Sequence, residues 1–355
     1  MTYEEYLKQI ILFAAKENAS DLHFCAGHHP TMRINGKLFP ITKAKRLTPE
    51  ETKKLAFLIM DDAQKEKFLK EKDIDFSMEV ENQVRLRVNI FFQRGKISIA
   101  MRLIPKKIRT IEELNLPPVL HQFTKPRQGF ILICGPASHG KSTTLAALID
   151  EINHTRAAHI ITIEDPIEYV FESDLSIIEQ REIGRDALSF QRALRAALRE
   201  DPDVIVVGEM RDPETMAIAI TAAETGHLVF ATLHTNSAAQ TIHRIVDSFP
   251  AEQQNQIKAQ LAGSLFAILS QRLIPRIGGG LIPACEIMFV TPAIANLIRE
   301  GKIHEIPAII ETSGDLGMMT INKSLAELVK RGEITFENAL NYSIDPAELR
   351  QRLKY

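Results

Sequence analysis

The residues best placed to do chemistry form one glycine-containing loop. Residues 135–142 read Gly-Pro-Ala-Ser-His-Gly-Lys-Ser, which matches the phosphate-loop pattern G-x-x-x-x-G-K-[ST]. An apolar run at 130–134 precedes the loop and a helical pattern begins near Lys141, as the pattern requires. Main-chain N–H groups of such a loop, together with the N-terminus of the following helix, attract phosphate. The sequence therefore predicts a nucleotide site built from Gly135, Pro136, Ala137, Ser138, His139, Gly140, Lys141, Ser142 and Thr143.

Three of these residues carry more specific expectations. The Lys141 ammonium can reach the β- and γ-phosphates, and the Ser142 hydroxyl can ligate Mg²⁺. His139 is unusual inside such a loop. It could touch a phosphate, but we expect its side chain to point to solvent and to have no chemical role.

Two acidic clusters follow apolar runs that read as strands. Glu209 ends the run 204–209, and Glu164, Asp165 and Glu168 lie in the stretch 162–168. Ligands of open α/β sheets bind at the carboxyl ends of the strands. A single acid in such a place is usually a turn or cap residue, but two clusters beside a phosphate loop favour roles in metal binding and water activation.

Two histidines, His227 and His234, flank the apolar run 228–232. Their separation of seven residues places them on opposite faces of a straight strand, which disfavours a shared metal site. His234 lies at the end of this strand, where it could sense a γ-phosphate. The alternative is a histidine whose hydrogen bonds are only structural.

The elements that must position these residues fall into two regions. From residue 119 onward, short apolar runs alternate with helical patterns, which indicates a sheet covered on both faces. Residues 1–105 read as a smaller α+β unit, with an amphipathic helix at 3–17 and a hairpin turn at Asn35-Gly36. We expect a domain at 1–105, a linker at 106–118 with the boundary near 112, and a second domain at 119–355 with a helical subregion at 292–355.

Composition excludes several classes of protein. The chain has 355 residues, 45% of them hydrophobic, and a net charge of −2, which is ordinary for a globular protein. No apolar run reaches the ~18 residues of a membrane span, and the N-terminus lacks a basic-then-apolar leader, so we expect a cytoplasmic protein. The cysteines Cys25, Cys134 and Cys285 form no C-x-x-C pair, which indicates free thiols.

Charge is unevenly distributed. Residues 1–120 carry +5 (21 Lys and Arg against 16 Asp and Glu), and the remainder carries −7 (22 against 29). This asymmetry hints that the first region handles an anion or faces the second region.

Four motifs together resemble the secretion ATPase superfamily, and most closely its type IV pilus retraction ATPases. They are the Walker A loop at 135–142, an aspartate box at 162–168, a Walker B stretch at 199–212 and a histidine box at 225–235. Residues 293–300 read Ala-Ile-Ala-Asn-Leu-Ile-Arg-Glu, similar to the AIRNLIRE element of the retraction members.

The resemblance implies a RecA-like P-loop NTPase core of α/β class with an N-terminal PAS-like α+β domain. It also implies an ATP- and Mg²⁺-dependent homo-hexameric motor for pilus retraction, with a pilus inner-membrane platform protein as partner, at the cytoplasmic face of the bacterial inner membrane. Glu168 would activate the attacking water, Glu209 would hold Mg²⁺ together with Ser142, and His234 would couple the γ-phosphate to domain movement. Candidate arginine fingers for a neighbouring subunit are Arg85, Arg87, Arg94 and Arg102.

Two departures from the family pattern keep other functions open. Ser138 replaces a glycine, which matters if that position needs a positive φ, and Ala295 replaces the arginine of AIRNLIRE. These departures are compatible with a divergent accessory paralogue or a subunit that binds nucleotide without hydrolysing it.

Two further classes are weaker alternatives. An extension or type II secretion ATPase would carry a longer N-terminal region and a tetracysteine zinc element. A RecA-like nucleic-acid motor would need a basic, aromatic-lined channel, whereas aromatic residues are 6% of this chain, Trp is missing and the second region is acidic. We therefore expect no nucleic-acid partner.

Overall fold

The computed structural model describes residues 2–34, 36–81, 83–104 and 106–354. The chain forms two compact units. One extends to Lys107 and includes the short segment Pro166–Val170, and the other comprises Ile108–Asp165 and the chain from Phe171 onward. Within the described ranges, no helix is both long enough and apolar enough to cross a bilayer.

In its described residues, the first unit is one antiparallel sheet with three helices. Its elements are α1 (Tyr3–Lys16), β1 (Asp21–Phe24), β2 (Thr31–Ile34), β3 (Lys37–Pro40), α2 (Pro49–Leu58), α3 (Asp62–Glu71), β4 (Asp73–Val80), β5 (Val84–Gln93) and β6 (Lys96–Ile104). The strand order is β3-β2-β1-β6-β5-β4. Thr2 and Thr48 begin α1 and α2 with capping boxes, in which the hydroxyl and a glutamate three residues later satisfy main-chain N–H groups at the helix start.

Alternating burial along β5 fixes which side chains this sheet presents. Val84, Leu86 and Val88 are buried in the core, whereas Arg85 and Arg87 lie on the opposite face, as the alternation predicts. The predicted hairpin joins β2 to β3 with Ile34 opposite Lys37, and Asn35 of the predicted turn lies outside the described residues.

The second unit is built on a seven-stranded sheet. Its strands are β7 (Gly129–Cys134), β8 (His159–Glu164), β9 (Ile177–Glu182), β10 (Val204–Val207), β11 (Leu228–Leu233), β12 (Leu265–Pro275) and β13 (Leu281–Phe289). Their order is β13-β12-β7-β11-β10-β8-β9, and all neighbours are parallel except β12 with β13. The helices are α4 (Lys141–Thr155), α5 (Phe190–Ala197), α6 (Pro213–Glu224), α7 (Ala238–Asp247), α8 (Ala251–Ser264), α9 (Pro292–Glu300), α10 (Ile306–Thr312), α11 (Ile321–Lys330), α12 (Phe336–Tyr342) and α13 (Pro346–Leu353).

Both faces of this sheet are covered, which confirms the α/β prediction. Successive residues of β7 enter different cores: Leu132 packs with residues of α6 and α7, and Ile133 packs with residues of α4. Every residue of β7 is buried, so the strand that leads into the phosphate loop is held from both sides.

The antiparallel pair β12–β13 was not predicted from the sequence. Its outer end packs with the C-terminal helices, where Ile274 and Ile282 contact the core around Leu325 of α11 and Leu349 of α13. β12 also continues past the end of β7, because the last paired residues of these two strands are Ser270 and Cys134. This overhang lies beside the phosphate loop.

Candidate nucleotide site

The carboxyl ends of four parallel strands bring the candidate residues of the second unit together. β7 and β11 are paired up to Cys134 and Leu233, and β10 is paired with β8 and β11 up to Val207. Each of these ends is followed by candidate residues, which therefore share one edge of the sheet: the phosphate loop, Glu164 and Asp165, Glu209, and His234.

Lys141 is buried at the start of α4, and its ammonium rests against its own loop. Nζ donates to the main-chain oxygens of Gly135 (2.8 Å) and Pro136 (2.9 Å). It also lies 3.2 Å from Nδ1 of His234. Gly140 precedes the helix with φ +80°, a conformation that glycine adopts without a steric penalty.

The neighbours of His234 define its tautomer. The Lys141 ammonium can only donate, so Nδ1 of His234 must accept. The proton of the neutral ring is therefore on Nε2, which lies 3.2 Å from Oε1 of Glu209. His234 thus connects the phosphate-loop lysine to the acid that follows β10, an arrangement we call the Lys–His–Glu bridge.

The surroundings of Glu209 favour the ionised form of its carboxyl. Gly208 before it donates its N–H to Ile163 O (2.8 Å), and Thr232 Oγ1 donates to Gly208 O (2.5 Å). Burial opposes ionisation of the carboxyl, but the hydrogen bond from Arg211 (2.8 Å), the positive charges of Arg211 and Lys141 and the neighbouring His234 ring outweigh it and lower the pKa of Glu209. Carboxylate and hydroxyl oxygens such as those of Glu209 and Ser142 are the ligands Mg²⁺ prefers, so this donor set fits that ion.

The structure contradicts our expectation for His139. The ring is half-buried rather than directed to solvent: Nδ1 accepts the main-chain N–H of Leu273 on β12 (2.8 Å), and the ring stands edge-on to Tyr342 at 6.3 Å between centroids. The partner belongs to the unpredicted overhang of β12, so no local sequence signal indicated this contact. Ser138, directly before it, has φ +64°. This position therefore adopts the left-handed conformation, which costs serine more than it costs the glycine of the family pattern.

The four candidate finger arginines lie in the first unit, and three of them share one region. Arg87 and Arg102 are directly opposite each other on β5 and β6, and Arg85 is two residues from Arg87. Arg94 lies in the turn between these strands, about 23 Å along the chain from Arg87 at the rise per residue of a strand. The structure therefore does not bring Arg94 together with the others.

Within the same unit, Glu168 lies beside two of these arginines. Arg87 Nη1 is 3.5 Å from Oε1 of Glu168, and Arg85 Nε donates to the main-chain oxygen of Ile167 (3.1 Å). Arg102 instead donates to Asp21 (3.1 Å). The segment that carries the candidate base is thus bound to the β5 arginines.

Two residues of the site, Arg211 and Gln271, make contacts that the sequence does not predict. Arg211 stands two residues after Glu209, so it could have been noticed as a cation beside the acid. Gln271 is a buried amide on β12, and a polar run Ser270-Gln271-Arg272 inside an apolar stretch was its only signal.

The fold and the site together define a class of protein. The strands β12-β7-β11-β10-β8, a phosphate loop between β7 and α4, and an acid after β10 are those of a P-loop ATPase with a RecA-like core. In the comparisons, a model of the type II/IV secretion system protein family matches residues 2–341. This chain therefore belongs to the type II/IV secretion system protein family.

Individual relatives agree with this assignment and confirm the resemblance. The type IV pilus retraction ATPase PilT of Pseudomonas aeruginosa is 49% identical over 336 residues, which cover 94% of this chain and 96% of that protein. A twitching motility protein of Neisseria gonorrhoeae is 45% identical, with 89% of this chain and 84% of that protein covered. The crystal structure of the pilus retraction motor PilT with bound ADP matches with a TM-score of 0.89 at 48% identity, covering 97% of this chain and 98% of that one.

Proposed function

We propose that this chain is an ATP-hydrolysing motor that powers retraction of a type IV pilus. The observation that carries the proposal is the Lys–His–Glu bridge, which joins the phosphate loop to the ends of β10 and β11. The retraction ATPases among its relatives, similar over nearly the whole chain, support the biological role.

Each residue of the site has a proposed task. Main-chain N–H groups of the loop and Lys141 bind the phosphates, while Ser142 and Glu209 would hold Mg²⁺. The bound ion would neutralise phosphate charge. Glu168 would orient and deprotonate the attacking water.

His234 would report whether a γ-phosphate is present. An arriving phosphate would attract the Lys141 ammonium away from the Gly135 and Pro136 oxygens, because a phosphate is a stronger acceptor than a carbonyl. Any shift of Nζ changes its contact with Nδ1 of His234 and, through Nε2, the contact with Glu209.

We also propose a homo-hexameric ring in which Arg85, Arg87 or Arg102 of one protomer completes the nucleotide site of its neighbour, with Arg94 as a weaker candidate. An arginine finger stabilises charge on the transferring phosphoryl group and can raise the rate by ~10³–10⁵. In this proposal, residues 1–105 are the PAS-like domain, 106–118 the linker and 119–355 the ATPase domain. A platform protein at the cytoplasmic face of the inner membrane would receive the force.

The proposal is tested with purified protein. The wild-type chain should hydrolyse ATP, and Lys141→Ala should abolish turnover. When Lys141→Ala and Arg87→Ala chains are mixed in equal amounts, turnover should recover to about a quarter of wild type, because about one interface in four then pairs an intact lysine with an intact arginine. Each variant alone is the control, and no recovery on mixing would refute a shared site that uses Arg87.

The biological role is tested in cells. Expression of the chain in a bacterium that lacks its retraction ATPase should restore pilus retraction, and the Lys141→Ala variant should not. A chain that binds ATP in vitro but neither hydrolyses it nor restores retraction would instead be an accessory subunit.

A further inference from the structure

We propose that His139 and Gln271 form a clamp that holds the phosphate loop on β12 in its nucleotide-binding shape, against the strain at Ser138. Both are positioning residues, since neither needs to touch the nucleotide. This inference rests on the proposed nucleotide site, but not on the pilus role.

The loop contains a strained residue in its centre. Ser138 is exposed and has φ +64°, and Gly140 has φ +80°, so His139 lies between two left-handed residues. A residue with a Cβ is sterically strained in this region relative to the right-handed conformation, whereas glycine adopts it readily. A loop with serine at 138 therefore relaxes more readily than one with glycine unless other contacts hold it.

The overhang of β12 supplies those contacts. β7 leaves the sheet at Cys134, so on that side the β12 residues beyond Ser270 face the loop instead of a strand, while on the other side they stay paired with β13. The N–H of Leu273 would lack the acceptor that a neighbouring strand normally provides, and His139 Nδ1 takes that place at 2.8 Å. The loop and β12 also approach closely at Gly135, where a Cβ would lie 2.3 Å from the main-chain oxygen of Gln271.

The side chain of Gln271 makes one hydrogen bond to the loop at His139 and one to α4 at Thr144. The residue is 2% exposed. Its Nε2 donates to His139 O (2.9 Å), and its Oε1 accepts a hydrogen bond from the hydroxyl of Thr144 (2.7 Å). These two bonds fix the orientation of the amide, because the nitrogen can only donate and the oxygen can only accept.

The anchored positions bracket the functional ones. His139 and Thr144 lie on either side of Lys141 and Ser142, so the clamp sets where the ammonium and the hydroxyl stand before nucleotide arrives. If the clamp is lost, the loop must be reordered when nucleotide binds, and the apparent affinity falls by the fraction of loops in the competent shape.

The test measures ATP and ADP binding to the full-length chain by calorimetry. His139→Leu removes the acceptor for Leu273, and we expect affinity for both nucleotides to fall about five- to tenfold, the factor for loss of one ordinary hydrogen bond. His139→Asn should restore affinity to within about twofold, because Oδ1 of asparagine occupies nearly the position of Nδ1. His243→Leu, an exposed histidine on α7, is the matched control and should bind as wild type does.

A second pair of variants tests the link to strain. In a Ser138→Gly background, where the left-handed conformation costs less, His139→Leu should lose clearly less affinity than it does with serine present. Equal losses in the two backgrounds would refute the compensation of strain. Should His139→Leu not fold, His139→Gln, which places its acceptor one bond further out, is measured in its place.

The outcomes separate this inference from the proposed function. If His139→Leu binds nucleotide as tightly as wild type, or if His139→Asn is as weak as His139→Leu, the clamp is refuted whatever the rate of hydrolysis. If wild type binds ATP but does not hydrolyse it, the proposed motor fails, and the clamp is still judged by the affinities.

Discussion

Replacement of His234 by alanine should lower kcat/KM for ATP by about two orders of magnitude. The change removes both contacts of the Lys–His–Glu bridge, each made to a charged partner and each 3.2 Å long. Hydrogen bonds to charged groups contribute about 1.5–3 kcal/mol, and the low end applies here because the side chain is 47% exposed. Two bonds of about 1.5 kcal/mol each correspond to a loss of roughly 150-fold.

Two conservative variants divide this loss. Asparagine at 234 keeps an acceptor near the position of Nδ1 for Lys141, and glutamine keeps a donor near that of Nε2 for Glu209, so each should lose roughly tenfold. The assay is steady-state ATP turnover, with the exposed His243→Ala as the control for loss of a histidine from the same unit. A His234→Ala chain that keeps kcat/KM within about twofold of wild type would refute the bridge as a functional connection.

Two further predictions concern Gly135 of the phosphate loop and the ion-paired His121. Gly135→Ala should abolish nucleotide binding and lower the melting temperature. The Cβ of the alanine would collide with Gln271 O at 2.3 Å, and the φ of +145° at this position suits only glycine. An unchanged ATP affinity would contradict the close approach of the loop to β12. His121 lies between Glu151 (2.8 Å) and Glu112 (2.7 Å), and although burial opposes its charge, these hydrogen bonds and the two carboxylates raise its pKa. The stabilisation from this histidine is therefore complete below its pKa in the unfolded chain, about 6.5, and is lost as pH rises through its pKa in the folded chain. The free energy of unfolding in urea should decline from pH 6 to about pH 9, and His121→Gln should remove this decline. A decline of equal size in His121→Gln would assign it to other groups.

Much of the site could be predicted from the sequence because each pattern that indicates it lies within a short segment of the chain. The loop pattern, the apolar run before it and the acids after two other runs lie within short segments, and the carboxyl ends of parallel strands meet at one edge of a sheet. The sequence therefore predicts the edge of the sheet at which the structure has Glu209 and His234.

The parts that could not be predicted depend on partners far away in the chain. His139 is 134 residues from Leu273, and the strand that carries Leu273 contains a polar run that hides its periodicity. Arg85 contacts Ile167, 82 residues later, because the segment after β8 packs on β5 in a way that no pattern in either segment records. The φ of Ser138 is set by the tight bend of the loop, so the sequence could only state what a positive value would imply.

The most direct test of the account is ATP turnover by the Glu209→Gln and Glu168→Gln variants, with ATP affinity measured on the same samples. Glutamine preserves the size of each side chain but removes the charge that would hold Mg²⁺ at 209 and the basicity that would activate water at 168. We predict that both variants still bind ATP and that hydrolysis falls by at least about a hundredfold in each. Hydrolysis at the wild-type rate in both variants would contradict the assignment of this sheet edge and of Glu168 as the machinery of an ATPase.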